Sequence, residues 1–186
     1  MKSLIAYGTR YGSTSKIASF MADVLREERF DVEVVELTNK EKTSYDLTHY
    51  DLIIIGSAIR MGKWTNQVLD FIKRNERTLA SKRAAFFVSC ATALDHDKKS
   101  QARSEYLEKV VRRFPLISPI ALGLFGGLLD FGDHGFLYRM TLDALKKQME
   151  QEGMDASMPY DFRDWDEIAD WTRSVGAYVR AHTEPK

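Results

Sequence analysis

Hydroxyl groups, a glycine and one arginine are concentrated near the start of the chain, directly after the short apolar run 3–7. The run predicts a buried strand, and the apolar spacing after Thr14 predicts a helix. Between them lie Thr9, Arg10, Tyr11, Gly12, Ser13 and Thr14. Backbone N–H groups at a helix N-terminus bind phosphate together with nearby hydroxyls, but hydroxyl residues also cap helices that have no ligand. The turn alone leaves both functions open.

Two absent sequence patterns narrow the ligand of this turn. It contains neither the GxxxxGKS/T pattern of nucleoside-triphosphate loops nor the GxGxxG pattern of dinucleotide-binding folds. The first 22 residues carry Lys2, Arg10 and Lys16 and no acidic residue, so no local carboxylate repels a dianion. A compact monophosphate is therefore the ligand that the turn would take.

The composition is that of one ordinary globular domain. The chain has 186 residues, of which 44% are hydrophobic, with 27 basic and 27 acidic residues. We expect a single domain over residues 1–186. The zero net charge argues against a nucleic-acid-binding protein. Cys90 is the only cysteine and there are four histidines, so we expect neither an intramolecular disulfide nor a metal site.

The longest uncharged run extends from Phe114 to Leu129 and contains two prolines and three glycines. It is too short for a spanning helix and predicts a buried strand followed by a glycine loop. The N-terminus lacks the apolar length of a signal peptide. We therefore expect a cytoplasmic protein, with contact at the inner face of the cell membrane left open. The oligomeric state is not predicted.

Strands alternate with helices along the chain, which predicts an α/β fold with a doubly wound parallel sheet. Apolar runs predict strands at 3–7, 32–37, 52–55, 84–90 and 117–125. Helical spacing predicts helices at 14–29 and 66–79, around 106–114 and 137–149, and from Asp164 onward, where Asp164 and Glu167 resemble a capping box. Ligands of such folds bind beyond the carboxyl ends of the strands.

The Thr-x-x-Gly-x-Thr spacing at residues 9–14 resembles the flavodoxin signature, whose loop binds the phosphate of FMN. The segment 56–64 resembles the flavin-ring loop of one branch, the menaquinone-dependent protoporphyrinogen IX dehydrogenases. The long segment 126–163 and the residues 164–167 after it are also similar to that branch. The resemblance implies a flavodoxin-like five-stranded sheet of order 2-1-3-4-5, with an insertion between the fifth strand and the last helix.

The resemblance also implies three groups of FMN-binding residues. Those expected at the phosphate are Thr9, Arg10, Tyr11, Gly12, Ser13 and Thr14. Those expected beside the flavin ring are Ser57, Ala58, Ile59, Arg60, Gly62 and Trp64. Those expected at its pyrimidine edge are Ser89, Cys90, Ala91, Thr92, Ala93 and Leu94. The last loop has no aromatic residue, so either Trp64 stacks on the flavin or one face stays open to a flat substrate. Cys90 itself is expected to be a small buried hydrophobe.

The activity implied by the resemblance is that of an FMN-dependent oxidoreductase. Flavin N5 would accept a hydride from a porphyrinogen-like substrate, and a quinone would reoxidise the flavin. Arg60 and Lys63 are candidates for holding substrate carboxylates or stabilising reduced flavin, and Arg139 and Lys146 are candidate substrate contacts. The alternative is a flavodoxin-type electron carrier that docks another redox protein. A third interpretation, a module without flavin, is disfavoured by the intact turn.

The zero net charge hides an uneven distribution. Residues 60–83 contain seven basic residues against two acidic ones, and residues 98–113 contain six against two. Flavodoxin carriers are typically acidic around the flavin, whereas a basic approach favours an anionic substrate or membrane surface. The charge pattern therefore favours the enzyme over the carrier.

Overall fold

A central sheet brings the carboxyl ends of five parallel strands to one edge of the protein. The computed structural model describes residues 1–10, 12–38, 45–60, 62–90, 96–129 and 160–183. The strands are β1 (Lys2–Gly8), β2 (Asp31–Glu36), β3 (Leu52–Arg60), with the short antiparallel β4 (Lys63–Trp64) folded back on its end, β5 (Arg83–Ser89) and β6 (Ala121–Phe125). The parallel strands lie in the order β2-β1-β3-β5-β6, which confirms the predicted order.

Helices cover both faces of this sheet. They are α1 (Ser13–Glu27), a 3₁₀ turn (Leu47–His49), α2 (Asn66–Ala80), α3 (His96–Arg103), a π-helical turn (Ser104–Glu108), α4 (Lys109–Val111) and α5 (Trp165–Ala181). α1 and α5 pack on one face, and α2 packs with the segment from α3 to α4 on the other. A second small sheet pairs β7 (Leu128–Leu129) with β8 (Tyr160–Asp161). Across the described ranges, each helix is too short or too polar to cross a membrane.

The central strands are apolar on both sides because both faces of the sheet are covered. Leu52, Ile53, Ile54 and Ile55 of β3 have no exposed surface, and alternate members point into the two apolar clusters on opposite faces. β2 lies at the edge of the sheet, where its acidic residues are exposed and its valines are buried or half-buried, as expected of a half-exposed strand. At the start of α5, the Asp164 side chain accepts from the N–H of Glu167 at 2.9 Å, as expected of the cap.

Several predicted boundaries differ from the structure. The helix predicted around 106–114 is the end of a helical segment that begins at His96 and ends at Val111. β6 begins at Ala121 rather than 117, because residues 117–120 contain Pro119, which has no N–H to donate to the ladder. α1 ends at Glu27, two residues earlier than predicted. β3 continues to Arg60, where the sequence predicted a loop. The predicted helix around 137–149 lies outside the described residues.

Candidate functional site

The three predicted groups of binding residues meet at the carboxyl ends of adjacent strands. Gly8, at the end of β1, lies opposite Ser57 in β3. Ala58, the next residue of β3, lies opposite Ser89 at the end of β5. The sheet therefore places the turn after β1, the segment after residue 57 and the end of β5 side by side, as the doubly wound topology requires.

The turn between β1 and α1 presents uncapped backbone N–H groups. Gly12 is the N-cap residue and adopts the left-handed conformation, with a φ of 80°. Its N–H donates to Thr9 Oγ1 at 3.1 Å, which closes the turn. Within the described residues no side chain caps α1, and the first turn of the helix carries no acidic residue. The first N–H groups of α1 and the positive end of its dipole are therefore available to an anion.

Thr14 adds a buried donor to this helix N-terminus. The residue has no exposed surface, and its hydroxyl has no hydrogen-bond partner among the described residues. A buried hydroxyl left without a partner costs about 1–3 kcal/mol. A Cβ built on Gly12 meets no atom of the described residues within 4 Å. The donors present fit a phosphate whose oxygens accept from Thr14 and from the backbone.

Ser13 fastens the turn to two other segments. Ser13 Oγ lies 3.2 Å from Ser89 Oγ and accepts from the N–H of Leu128 at 3.1 Å. Ser89 Oγ donates to the carbonyl of Gly126 at 3.2 Å. Because a hydroxyl has a single proton, the Ser13 proton goes to Ser89. Both hydroxyls are thus used within the protein, and the part that Ser13 can take at an anion is limited to its backbone N–H.

The segment predicted as a flavin-ring loop is a β-hairpin. Its strands pair Ile59 with Trp64 and Arg60 with Lys63. Gly62 turns the chain at the tip with a φ of 74°, a conformation that favours glycine. Lys63 is exposed at this tip. The hairpin is therefore a defined projection beyond the parallel strands rather than an irregular loop.

Ser57 closes the base of the hairpin. It has no exposed surface, and its Oγ donates to the carbonyl of Ala58 at 3.0 Å. The same oxygen accepts from the N–H of Thr65, the N-cap residue of α2, at 3.0 Å. The hydroxyl, predicted to lie beside a flavin ring, therefore fixes the start of α2.

The Trp64 indole, predicted to stack on a flavin, lies in the core of the structure. Trp64 is 4% exposed, and its ring meets Phe86 edge-on with centroids 6.0 Å apart. Its Nε1–H donates to the carbonyl of Tyr106 in the π-helical turn. The sequence does carry a signal for this position, since an apolar residue before an N-cap packs against the fourth helical residue. Those two residues are Trp64 and Leu69, which border the same groove.

The remaining predicted site residues fall into two sets. Arg10 is exposed, whereas Thr9, Ala58 and Ile59 are half-buried. Cys90 is 6% exposed, which confirms the prediction of a buried small hydrophobe. Those that lie outside the described residues are Tyr11, Ala91, Thr92, Ala93, Leu94, Arg139 and Lys146.

Sequence reasoning missed a buried arginine beside the turn. The Arg163 side chain is 4% exposed, lies with its Cζ 4.6 Å from the centre of the Trp165 ring, and contacts both carboxylate oxygens of Asp161. Asp161 pairs with Leu128, whose N–H is held by Ser13, so this cluster borders the first turn of α1. One sequence feature could have indicated this arginine: Arg163 is the only basic residue in the segment 150–170, which contains eight acidic residues.

Asp161 makes the stability of this cluster dependent on pH. The hydrogen bond from Arg163 holds the pKa of its carboxyl below the usual value of 3.8. The stabilisation is therefore complete above pH 3.8 and is lost as the pH falls through the lower folded pKa. We expect Asp161→Asn to lower the free energy of unfolding by about 1 kcal/mol at pH 7, because the guanidinium loses an ionic partner whose own side chain is 42% exposed. Denaturant unfolding should show this difference shrinking below pH 3.8, and a constant difference would contradict the assignment.

The fold and the uncapped helix N-terminus define a flavodoxin-like protein. Residues 4–156 match the model of the flavodoxin domain family, so the chain belongs to that family. It is 25% identical over 175 residues to the protoporphyrinogen IX dehydrogenase [quinone] of Escherichia coli K12, covering 94% of each chain. It is 27% identical to the Leishmania major protein of the same name, covering 88% of this chain and 70% of that one.

A solved structure shares the fold at lower sequence identity. A flavodoxin, WrbA-like protein from Agrobacterium tumefaciens superposes with a TM-score of 0.57 at 17% identity, covering 98% of this chain and 99% of that one. This likeness supports the architecture alone.

Proposed function

We propose that the chain acts as one FMN-binding domain that oxidises a porphyrinogen and passes the electrons to a quinone. The observation that carries the cofactor part is the partnerless buried hydroxyl of Thr14 at the uncapped N-terminus of α1. The reaction class is supported by relatives named protoporphyrinogen IX dehydrogenase [quinone] that align with most of the chain.

In this proposal, the residues of the chain bind and orient the FMN cofactor. Backbone N–H groups from Ser13 onward and the Thr14 hydroxyl hold the cofactor phosphate, with Arg10 beside them. The hairpin from Ala58 to Gly62 lies along the ring, with backbone groups rather than the Ser57 hydroxyl or the Trp64 indole in contact. In this proposal one face of the ring is open to a flat substrate. When bound, FMN supplies hydride acceptance at N5 and reoxidation by a quinone.

Thr14→Val tests the phosphate site, because the variant is expected to raise the stability of the apo-protein and to weaken FMN binding. Valine matches the shape of threonine and removes a buried hydroxyl without a partner, so we expect the apo-protein to gain up to about 1 kcal/mol of stability. The same change removes a donor to phosphate and should weaken FMN binding about 10- to 100-fold. Fluorescence titration of apo-protein with FMN and denaturant unfolding measure the two effects.

The matched control is Thr172→Val on α5. Thr172 is equally buried, but its hydroxyl donates to the carbonyl of Ile168 at 2.7 Å. This variant should bind FMN like the wild type and should not gain stability. Equal FMN affinity in Thr14→Val and the wild type would move the phosphate site elsewhere.

Turnover separates the enzyme from the electron carrier. FMN-loaded protein is mixed without oxygen with protoporphyrinogen IX and a menaquinone analogue, and porphyrin fluorescence is followed. The proposal predicts fluorescence that depends on both FMN and the quinone. Absence of porphyrin formation, together with rapid flavin reduction by a ferredoxin-type donor, would support the carrier instead.

A further inference from the structure

A groove of about 410 Å³ lies between the hairpin tip and the helices of the adjoining face. Its walls come from the β3–β4 tip, the first turn of α2 and the segment from the π-helical turn to Arg113. Its apolar floor includes Leu69 and Val110, of which Val110 is 8% exposed. The volume falls within the range of small-molecule sites. The groove begins at Gly62, the hairpin residue predicted to lie beside the flavin ring.

The groove is strongly cationic. Lys63 stands at the hairpin tip, and Lys109 and Arg113 stand on the opposite wall, against one carboxylate, Glu105. The two basic stretches of the sequence, 60–83 and 98–113, therefore supply opposite walls of a single groove. Three cations around an apolar floor suit an organic ligand that carries two carboxylates.

These cations are available to a ligand. Within the described part of the chain, Lys63 and Arg113 take part in no ion pair. Lys109 lies 3.7 Å from Glu105, and both side chains are well exposed, at 63% and 41%. An exposed pair of this kind contributes little, so a ligand carboxylate can replace Glu105 at small cost.

The walls of the groove are fixed relative to each other. The buried Trp64 donates its indole N–H to the carbonyl of Tyr106, which ties the hairpin to the π-helical turn Ser104–Glu108. π-helical turns inside helices occur frequently at functional sites. The distance from Lys63 to the far wall is therefore set before a ligand binds.

We propose that this groove holds the two carboxylates of the substrate, an assignment that rests on the proposed porphyrinogen oxidation. Lys63 binds from the hairpin tip, and Lys109 and Arg113 bind from the far wall. Leu69 and Val110 contact the apolar part of the substrate that lies next to its carboxylates. The carboxylate-bearing edge of the substrate is then held in the groove, and the rest of the substrate lies beside the tip of the hairpin.

The test measures binding of protoporphyrin IX, a dicarboxylate, and of its dimethyl ester to the full FMN-loaded chain. The groove variant is Lys63→Gln/Lys109→Gln/Arg113→Gln. The control, Lys73→Gln/Arg74→Gln/Arg77→Gln, removes the same charge from exposed positions of α2 outside the groove. Porphyrin fluorescence gives the Kd of each protein for each ligand.

We expect the groove variant to bind the diacid about tenfold more weakly, since three charged contacts are lost. The control should stay within about twofold, and the ester should bind both proteins alike because it carries no carboxylate to pair. Equal losses in the two variants, an ester that binds as tightly as the diacid, or no binding by the wild type would each overturn the assignment.

The same variants separate the groove from the proposed function. Diacid binding that depends on the groove, without flavin reduction by the porphyrinogen, would leave the groove standing and reject the oxidation. Flavin reduction with the same substrate dependence in both variants would keep the oxidation and reject the groove.

Discussion

Gly12→Asp is expected to abolish FMN binding at micromolar cofactor while leaving a folded protein. A Cβ on Gly12 meets no described atom within 4 Å, so the side chain fits. Aspartate tolerates the left-handed conformation that Gly12 adopts better than most residues do. Its carboxylate, however, stands where the phosphate would bind, and like charges brought together cost several kcal/mol, which corresponds to a loss of about 100-fold or more.

Gly12→Asn is the matched control for this variant. Asparagine has nearly the same size and the same tolerance of positive φ, but it carries no charge. We expect its FMN affinity to fall by less than about tenfold. Isothermal titration of the two apo-proteins with FMN gives the ratio. Equal losses in the two variants would show that steric crowding, and not charge, excludes the phosphate.

Gly126→Ala is expected to have the largest effect on stability. Gly126 packs so closely against the backbone of Phe162 that a Cβ would fall on the Phe162 carbonyl. A backbone group cannot turn aside as a side chain can, so the chain after β8 must move away from the sheet. We expect a loss of about 3 kcal/mol, which lowers Tm by about 6–12 °C for a domain of this size.

The effect of Gly126→Ala should extend to the cofactor. The Gly126 carbonyl accepts from Ser89, which is hydrogen-bonded to Ser13 on the first turn of α1. Displacing Gly126 therefore disturbs the turn that we propose holds the phosphate. Gly127→Ala is the control, because its Cβ would meet Ser89 Oγ at 3.3 Å and Cys90 at 3.6 Å, contacts that small shifts relieve. Calorimetry should give a lower Tm for Gly126→Ala than for Gly127→Ala, and equal Tm values would contradict the account.

The fold was predictable because its signals are local and repeated. The apolar run 52–55 indicated a strand covered on both faces, and the alternation after residue 31 indicated an edge strand. The uncapped helix N-terminus after β1 was predictable as well, because a helix start, a glycine and hydroxyls are adjacent in the chain. Their spacing predicts where donors gather without reference to the rest of the fold.

The roles of single side chains were less predictable, because they depend on distant partners. Ser13 is held by Leu128, which is 115 residues away, and Trp64 by Tyr106, which is 42 residues away. Neither pairing leaves a pattern at the residue itself. Arg163 is buried only because the return strand β8 folds against β7 beside α1. Such contacts follow from the tertiary structure, which is why hydroxyl or aromatic type alone does not predict them.

The most direct test of the central claim is an anaerobic single-turnover reduction. FMN-loaded protein is mixed with excess protoporphyrinogen IX in a stopped-flow instrument, without quinone, and the oxidised-flavin absorbance near its visible maximum is followed. The account predicts bleaching of the flavin, because one FMN takes two of the six electrons that separate the porphyrinogen from the porphyrin. Adding a menaquinone analogue should restore the oxidised flavin and allow porphyrin to form over repeated turnovers. A flavin that stays oxidised with this substrate, but is reduced by a ferredoxin-type donor, would contradict it.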